Sequence, residues 1–309
     1  MKIDYFCFSV PSIDSTDYTI ELTDDENIIW VKMKEIELLE KAKKHDMLIL
    51  YDRTTKKFYK DGIEFDINGF NIFPRCSIPN QEELLTQIKN HQGNSITSME
   101  EIERITNWPL FIQPIYRKVI VTTYDEFAKN HEKYKTVFHN LFFKTAKKSN
   151  NSKVLKNYQN VEFQDDKGNM ASIFMTKPPL LNVKREDTVF LSEAFQSIED
   201  TENDMDCKEY RVFVLNHNLL SISRSYVDYP TKVPDEVKIF AEKQIEKASL
   251  ISKFPSSYVL DIGQMKIKNQ EVIDIIEYNS ICSSGLEICN LLVEELDKQN
   301  IKQKQLIKK

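Results

Sequence analysis

The stretch VIDIIEYNS (272–280) closes an apolar run with Glu277, Tyr278, Asn279 and Ser280. Side chains alternate along a strand, so Glu277 and Asn279 point to one face. A carboxylate and an amide oxygen aimed at one spot have two readings. One is a solvated strand end; the other is part of a hard-cation site, which takes two or three such oxygens together with phosphate. Asp261 lies sixteen residues before Glu277, within a second apolar run, SSYVLDIG (256–263). If the two runs are antiparallel neighbours, Asp261, Glu277 and Asn279 share a face, as a partial Mg²⁺ shell completed by water and phosphate would require. EYRVFVL (209–215) and LLSISRSYV (219–227) read as a hairpin, with Arg211 and Arg224 on opposite strands as forked donors for phosphate. Lys144, near the end of HNLFFKT (139–145), adds a point charge, and DTVFLSEAF (187–195) brings in Glu193. Each has an ordinary alternative: surface ion pairs for the arginines, a turn cap for Asp261, an exposed strand position for Glu193, a solvated run for Lys144.

The elements that position these residues can be read from pattern. Residues 2–10 read as a strand, 33–44 as a helix and 47–51 as a buried strand, an αβ unit. A hairpin is expected over 56–67, turning at Lys60-Asp61-Gly62. Helices follow at 79–91 and 97–107, the second opened by a Ser98/Glu101 capping-box spacing. Strands are expected at 108–116, 118–123, 139–145, 169–176 and 187–195, with a helix over 124–134. After the acidic loop 197–206 come the arginine hairpin and a long amphipathic helix, 234–254, with Pro234 near its start. Strands at 256–263 and 271–279 and a helix at 285–297 complete the order. The domain expectation is a smaller N-terminal α/β domain over 1–107, a larger one over 108–297 and a Lys-rich tail over 298–309.

Composition removes several classes. A chain of 309 residues with 41% hydrophobic and 29% charged residues reads as an ordinary folded protein. A net charge of -6 gives no general attraction to nucleic acid or anionic membrane. The five cysteines, Cys7, Cys76, Cys207, Cys282 and Cys289, are scattered and form no CxxC, so neither a zinc site nor a disulfide framework is expected, and free thiols suit a reducing cytoplasm. The first residues, MKIDYFCFSVPSIDSTD, do not read as a signal peptide, and no run approaches a membrane span. KKSNNS lacks the P-loop glycines, the YKDG near residue 60 has the wrong spacing for a nucleotidyl-transferring ligase, and His217 reads as a turn residue.

The ordered set LFFKTAKKS, VFLSEAF, EYRVFV, SISR, YVLDIG and IIEYNSICSSG resembles the ATP-grasp superfamily. It is most similar to the clade named for two arginines and one lysine, and more distantly to the cell-division-cycle chaperone family that assembles translation initiation factor 2. The resemblance covers roughly 108–290. It implies an α/β (α+β) ATP-grasp fold, two α/β subdomains with antiparallel sheets sandwiching ATP, preceded by the N-terminal α/β domain. It also implies a cytoplasmic, ADP-forming carboxylate–amine ligase that uses ATP and Mg²⁺. The carboxylate and amine partners, whether amino acid, peptide or protein, stay open. On the resemblance, Asp261, Glu277 and Asn279 fall on Mg²⁺ ligands, and Lys144 on a lysine that contacts ATP phosphate. Leu191, Glu193, Ala194 and Phe195 fall on the linker that meets adenine, and Arg211 and Arg224 on arginines facing phosphate and the acyl intermediate. An ATP-dependent assembly chaperone and an inactive scaffold are the other readings. One departure stands out: the segment after Lys144, TAKKSNNSK, has no glycine.

Overall fold

The computed structural model describes residues 3–13, 38–76, 80–106, 114–145, 152–155, 158, 184–194, 208–224, 232–267 and 270–282. The expected strand 169–176, the acidic loop 197–206, the helix 285–297, the tail 298–309, the lysine loop 146–151 and Phe195 lie outside the described residues. The chain divides into two compact units, and neither is one continuous run. Unit 1 comprises Met1–Ile105, Tyr210–Asp261 and Tyr278–Lys309; unit 2 comprises Thr106–Glu209 and Ile262–Glu277.

Unit 1 contains a six-stranded sheet built from β1 (Tyr5–Val10), β2 (Leu48–Asp52), β3 (Lys57–Lys60), β4 (Ile63–Glu64), β5 (Asn71–Arg75) and β6 (Asn94–Ser95), in the order β4-β3-β2-β1-β5-β6. β1 pairs parallel with β2 and β5. Parallel strands are covered on both faces, which is why YFCFSV and LILYD read as unbroken apolar runs. Pro74 is tolerated in β5 because β6 pairs only with Asn71 and Ile72, so among the described residues no strand needs a Pro74 N–H on that side. The β3–β4 turn places Asp61 and Gly62 at φ 51° and 78°, the two left-handed positions of a two-residue hairpin. The capping box forms: the Ser98 N–H donates to Glu101 Oε2, and the Glu101 N–H to Ser98 Oγ.

A second hairpin, β11 (Lys208–Leu215) and β12 (Asn218–Arg224), belongs to unit 1 from Tyr210 onward and turns at Asn216 and His217, again with both φ angles positive. The helix after Pro234 spans Asp235–Ser249 and buries Val237, Ala241, Ile245 and Ala248, a stripe at helical spacing. It is shorter than the expected 234–254, since Leu250–Phe254 turn back with Lys253 at φ 68°.

Unit 2 holds a four-stranded antiparallel sheet of β7 (Val119–Thr123), β8 (Leu141–Thr145), β9 (Ser152–Leu155) and β10 (Thr188–Glu193), ordered β7-β10-β8-β9. Two short helices, Tyr124–Lys129 and His131–Lys135, replace the single helix expected over 124–134. The break falls at Asn130, whose side chain bonds back to the carbonyl and carboxylate of Glu126. Phe127, Tyr134, Phe138, Leu141, Phe143, Tyr158, Val189 and Leu191 form the core. Of the strand expected over 108–116, residues 108–113 lie outside the described residues and 114–116 are not a strand; the N–H groups of Ile115 and Tyr116 go to the Asp274 carboxylate instead of a ladder.

A third sheet has the order β12-β11-β13-β14, with β13 at Tyr258–Ile267 and β14 at Gln270–Asn279. Two residues join β13 to β14, so the pair is antiparallel. Gly263 lies inside β13, so Asp261 is a strand residue and not a turn cap. No helix among the described residues is long and apolar enough to cross a membrane.

Candidate functional site

In unit 1, Arg211 of β11 forks onto Asp261 of β13. Its Nε donates to Oδ1 at 2.8 Å and its Nη2 to Oδ2 at 3.0 Å. Asn279, near the end of β14, donates from Nδ2 to the same Oδ2 at 2.7 Å. Arg211, Asp261 and Asn279 are 8%, 1% and 3% exposed. Burying a carboxylate and a guanidinium is costly unless geometry and hydrogen bonding are good, and here both are. With its Nδ2 committed, Asn279 presents Oδ1 as its remaining polar atom.

Arg224 stands differently from the paired-arginine expectation. Tyr210 is in register with Arg224, and Arg211 with Ser223. Directly opposed residues share a face, so Arg211 and Arg224 lie on opposite faces of the hairpin. The residue that accompanies Arg211 is Ser223, whose Oγ is buried and has no hydrogen-bond partner.

In unit 2, Lys144 Nζ pairs with the Glu277 carboxylate, and both side chains are 27% exposed. The register of the four-stranded sheet sorts its residues by face. Phe190 lies opposite Lys144 and Val121, and Ser192 opposite Phe142 and Val119. One face therefore presents Val119, Val121, Phe142, Phe190, Lys144 and Ser192. The four apolar members and Lys144 are half-buried, and Ser192 Oγ is buried with no hydrogen-bond partner. The other face, with Leu141, Phe143, Val189 and Leu191, is the core. Leu191 is thus turned away from the Lys144 face. Glu193 is buried and its carboxylate accepts from the His139 and Asn140 N–H groups at 2.9 and 2.8 Å. Its backbone pairs with Leu141 on one side, while the β7 pairing ends one residue earlier at Ser192–Val119. The Ala194 N–H donates to the Asn140 carbonyl.

Asp261, Glu277 and Asn279 are hard oxygen donors, suited to Mg²⁺ and not to a soft metal. Arg211 and Asn279 together use three of the roughly four lone-pair positions of Asp261. Among the described residues no group of three or more His, Cys, Asp or Glu is gathered for a metal ion. The buried Asn279 Oδ1, which accepts no hydrogen bond, and the remaining Asp261 lone pair are donors of the kind that Mg²⁺ takes alongside phosphate and water. Cys282, two residues beyond Ser280, is a core thiol; burial pushes it up, against a smaller pull from the Arg75 charge.

Pattern reading singled out neither Ser192 nor Ser223. Each alternates with a charged neighbour in the strand, Glu193 and Arg224, and only cross-strand register shows which face it takes. Asp274 and Arg117 were also passed over. Asp274 sits among the isoleucines of VIDIIEYN, and a single acid within an apolar run was the available signal.

No protein-family model matches the chain, and no curated protein matches it. Solved structures do. A RimK-domain ATP-grasp protein of Sphaerobacter thermophilus is 10% identical with a TM-score of 0.51, covering 94% of this chain and 99% of that one. The ATP-grasp ligase PsnB, complexed with a phosphomimetic variant of a minimal precursor, Mg and ADP, is 12% identical with a TM-score of 0.51, covering 97% and 100%. The D-alanyl-alanine synthetase A of Vibrio cholerae is 9% identical with a TM-score of 0.52, covering 97% and 98%. These likenesses run across almost the whole length of each protein, and together with the mixed and antiparallel sheets they establish that this chain has the ATP-grasp fold.

Proposed function

We propose that this protein is an ATP- and Mg²⁺-dependent ligase that activates a carboxylate as an acyl phosphate for attack by an amine or similar nucleophile. The observation that carries the reading is the Lys144 face of the unit 2 sheet. Phe142, Phe190, Val119 and Val121 share one face of the sheet, an apolar lining suited to a purine ring, and Ser192 adds a hydroxyl and Lys144 a charge for phosphate. The backbone edge at Glu193–Ala194, past the last β7 pair, is where the adenine amine and ring nitrogens would be read. Leu191 supports that strand from the core, and Phe195 would continue the edge.

On the resemblance, Asp261, Glu277 and Asn279 would hold Mg²⁺, which supplies Lewis-acid neutralisation of phosphate charge. Lys144 would leave Glu277 for a phosphate oxygen. Arg211, held in plane by Asp261, would face the transferring phosphoryl group, while Arg224, on the other face of the hairpin, does not join it there. The substrate carboxylate oxygen attacks the γ-phosphorus and the bond to ADP breaks. The amine then attacks the acyl carbon, inorganic phosphate leaves, and the amine proton passes to solvent or phosphate. Such a reaction asks mainly for alignment and charge neutralisation, which these residues provide without a protein nucleophile.

PsnB was solved with a precursor as well as Mg and ADP, which supports a peptide or amino acid among the substrates here. One observation favours a second reading: the segment after Lys144 has no glycine, so a backbone cradle over a triphosphate is hard to form, as suits an ATP-binding assembly chaperone with little turnover. Incubation with Mg-ATP and a metabolite extract separates the two. The ligase reading expects ADP and a new product mass. AMP release, or tight binding with no turnover in any extract, overturns it.

A further inference from the structure

We infer that Asp274 and Arg117 are positioning residues that hold Glu277 in register for Lys144. The inference rests on the ligase reading for its consequence but not for its geometry. Asp274 is fully buried and Arg117 nearly so. The Asp274 Oδ1 accepts from the Ile115 N–H at 2.8 Å and the Ile275 N–H at 2.9 Å, and Oδ2 accepts from the Tyr116 N–H at 3.1 Å. Arg117 Nη2 returns bonds to the carbonyls of Ile275 and Ile276, at 2.7 and 2.6 Å. A carboxylate on β14 thus grips the backbone of 115–116, and a guanidinium from 117 grips the backbone of β14.

The placement explains the cost. Among the described residues β14 is the last strand of its sheet, with β13 on one side and the 115–117 segment gripping it instead of a further strand. A slip of one residue would carry Glu277 to the opposite face. The grip closes on residues 274–276, directly before Glu277. This pair ties β14 to the backbone of 115–117 where the proposed metal and phosphate chemistry needs a carboxylate to stay put.

A zero-length carbodiimide cross-link tests this in the full-length chain. Lys144 and Glu277 should join in the wild type, scored by mass spectrometry against the Lys57–Glu64 pair, which lies in unit 1 at 2.6 Å. Asp274→Ala and Arg117→Ala should lower the Lys144–Glu277 product about fivefold or more relative to that control. Asp274→Asn, which keeps one acceptor oxygen, should fall between. Wild-type-like cross-linking in both alanine variants, no Lys144–Glu277 product in the wild type, or equal loss of both cross-links would overturn the inference. Calorimetry with ATP, with and without Mg²⁺, gives the functional arm. The alanine variants should lose about tenfold of the Mg²⁺-dependent gain in affinity and much less of the metal-free affinity. Equal losses with and without Mg²⁺ would also overturn it. If the wild type binds no nucleotide, the ligase reading falls and the cross-link alone decides the positioning role.

Discussion

The two charged clusters are built on opposite terms. In unit 1 the Arg211–Asp261–Asn279 group is buried, forked and anchored on strand interiors or ends, with each carboxylate oxygen answered. In unit 2 Lys144 pairs with Glu277, and both side chains are partly exposed. A buried network of this kind holds one geometry, because removing either charged member strands the other's charge. A half-exposed pair is worth little by itself and can be traded for a ligand's charges. The contrast suggests a rigid arginine platform in one unit and an exchangeable lysine–carboxylate pair in the other.

Arg211→Ala should break the contrast most severely. It leaves Asp261 charged and buried, at a cost of about 3–5 kcal/mol. Denaturant unfolding should show this, and a loss under about 1 kcal/mol would mean that Asp261 is solvated and the platform is not rigid. Asn279→Ala should cost less, about 1–3 kcal/mol, since it removes one charge-assisted hydrogen bond. In the same variant, Mg²⁺-dependent ATP binding should fall further than stability does, and unchanged affinity would take Asn279 out of the ligand set.

Glu277→Gln should barely affect unfolding, by less than about 1 kcal/mol, because its partner is half-exposed. It should nevertheless weaken Mg-ATP binding far more than binding of metal-free ATP. Calorimetry that finds the two affinities equally changed would remove the exchangeable character proposed for this pair.

The smallest effect is a pH trend at Asp274. Burial raises its carboxyl above the ordinary range, against the pull of the Ile115, Tyr116 and Ile275 N–H groups and the Arg117 charge. The folded value lies above the unfolded one, so this group favours folding most below the unfolded value, 3.8, and that contribution is lost as pH rises through the raised folded value. The melting-temperature deficit of Asp274→Asn relative to wild type should therefore shrink as pH rises from about 4 toward neutrality. A deficit that grows over that range would show the carboxylate to be net stabilised by its donors.

The strands that carry the candidate residues were legible because their patterns are local. YFCFSV, LFFKT and VIDIIEYN are apolar runs bounded by turn or polar residues, and the Ser98/Glu101 box needs only a three-residue spacing. The order Lys144, Glu193, Arg211, Asp261, Glu277 was legible too, and it carried the resemblance to the fold that the solved structures bear out. Segment 114–116 was misread, because apolar flanks look the same whether the N–H groups meet a strand or a distant carboxylate. The paired arginines were misread because hairpin length does not reveal which residues oppose each other.

What the sequence determined by itself was therefore the set of elements and the kinds of charge at their ends, since both depend on neighbours within a few residues. Tertiary structure alone decided the pairing: that Asp261 takes Arg211 and Asn279, that Glu277 takes Lys144, and that Arg224 turns from Arg211. It also decided that each compact unit is assembled from separated stretches of chain. These follow from register and from contacts between residues far apart in the chain, such as Arg211 with Asp261 and Ile115 with Asp274. Alternation says which residues share a face of one strand, but only the hydrogen-bonded neighbour fixes what that face meets.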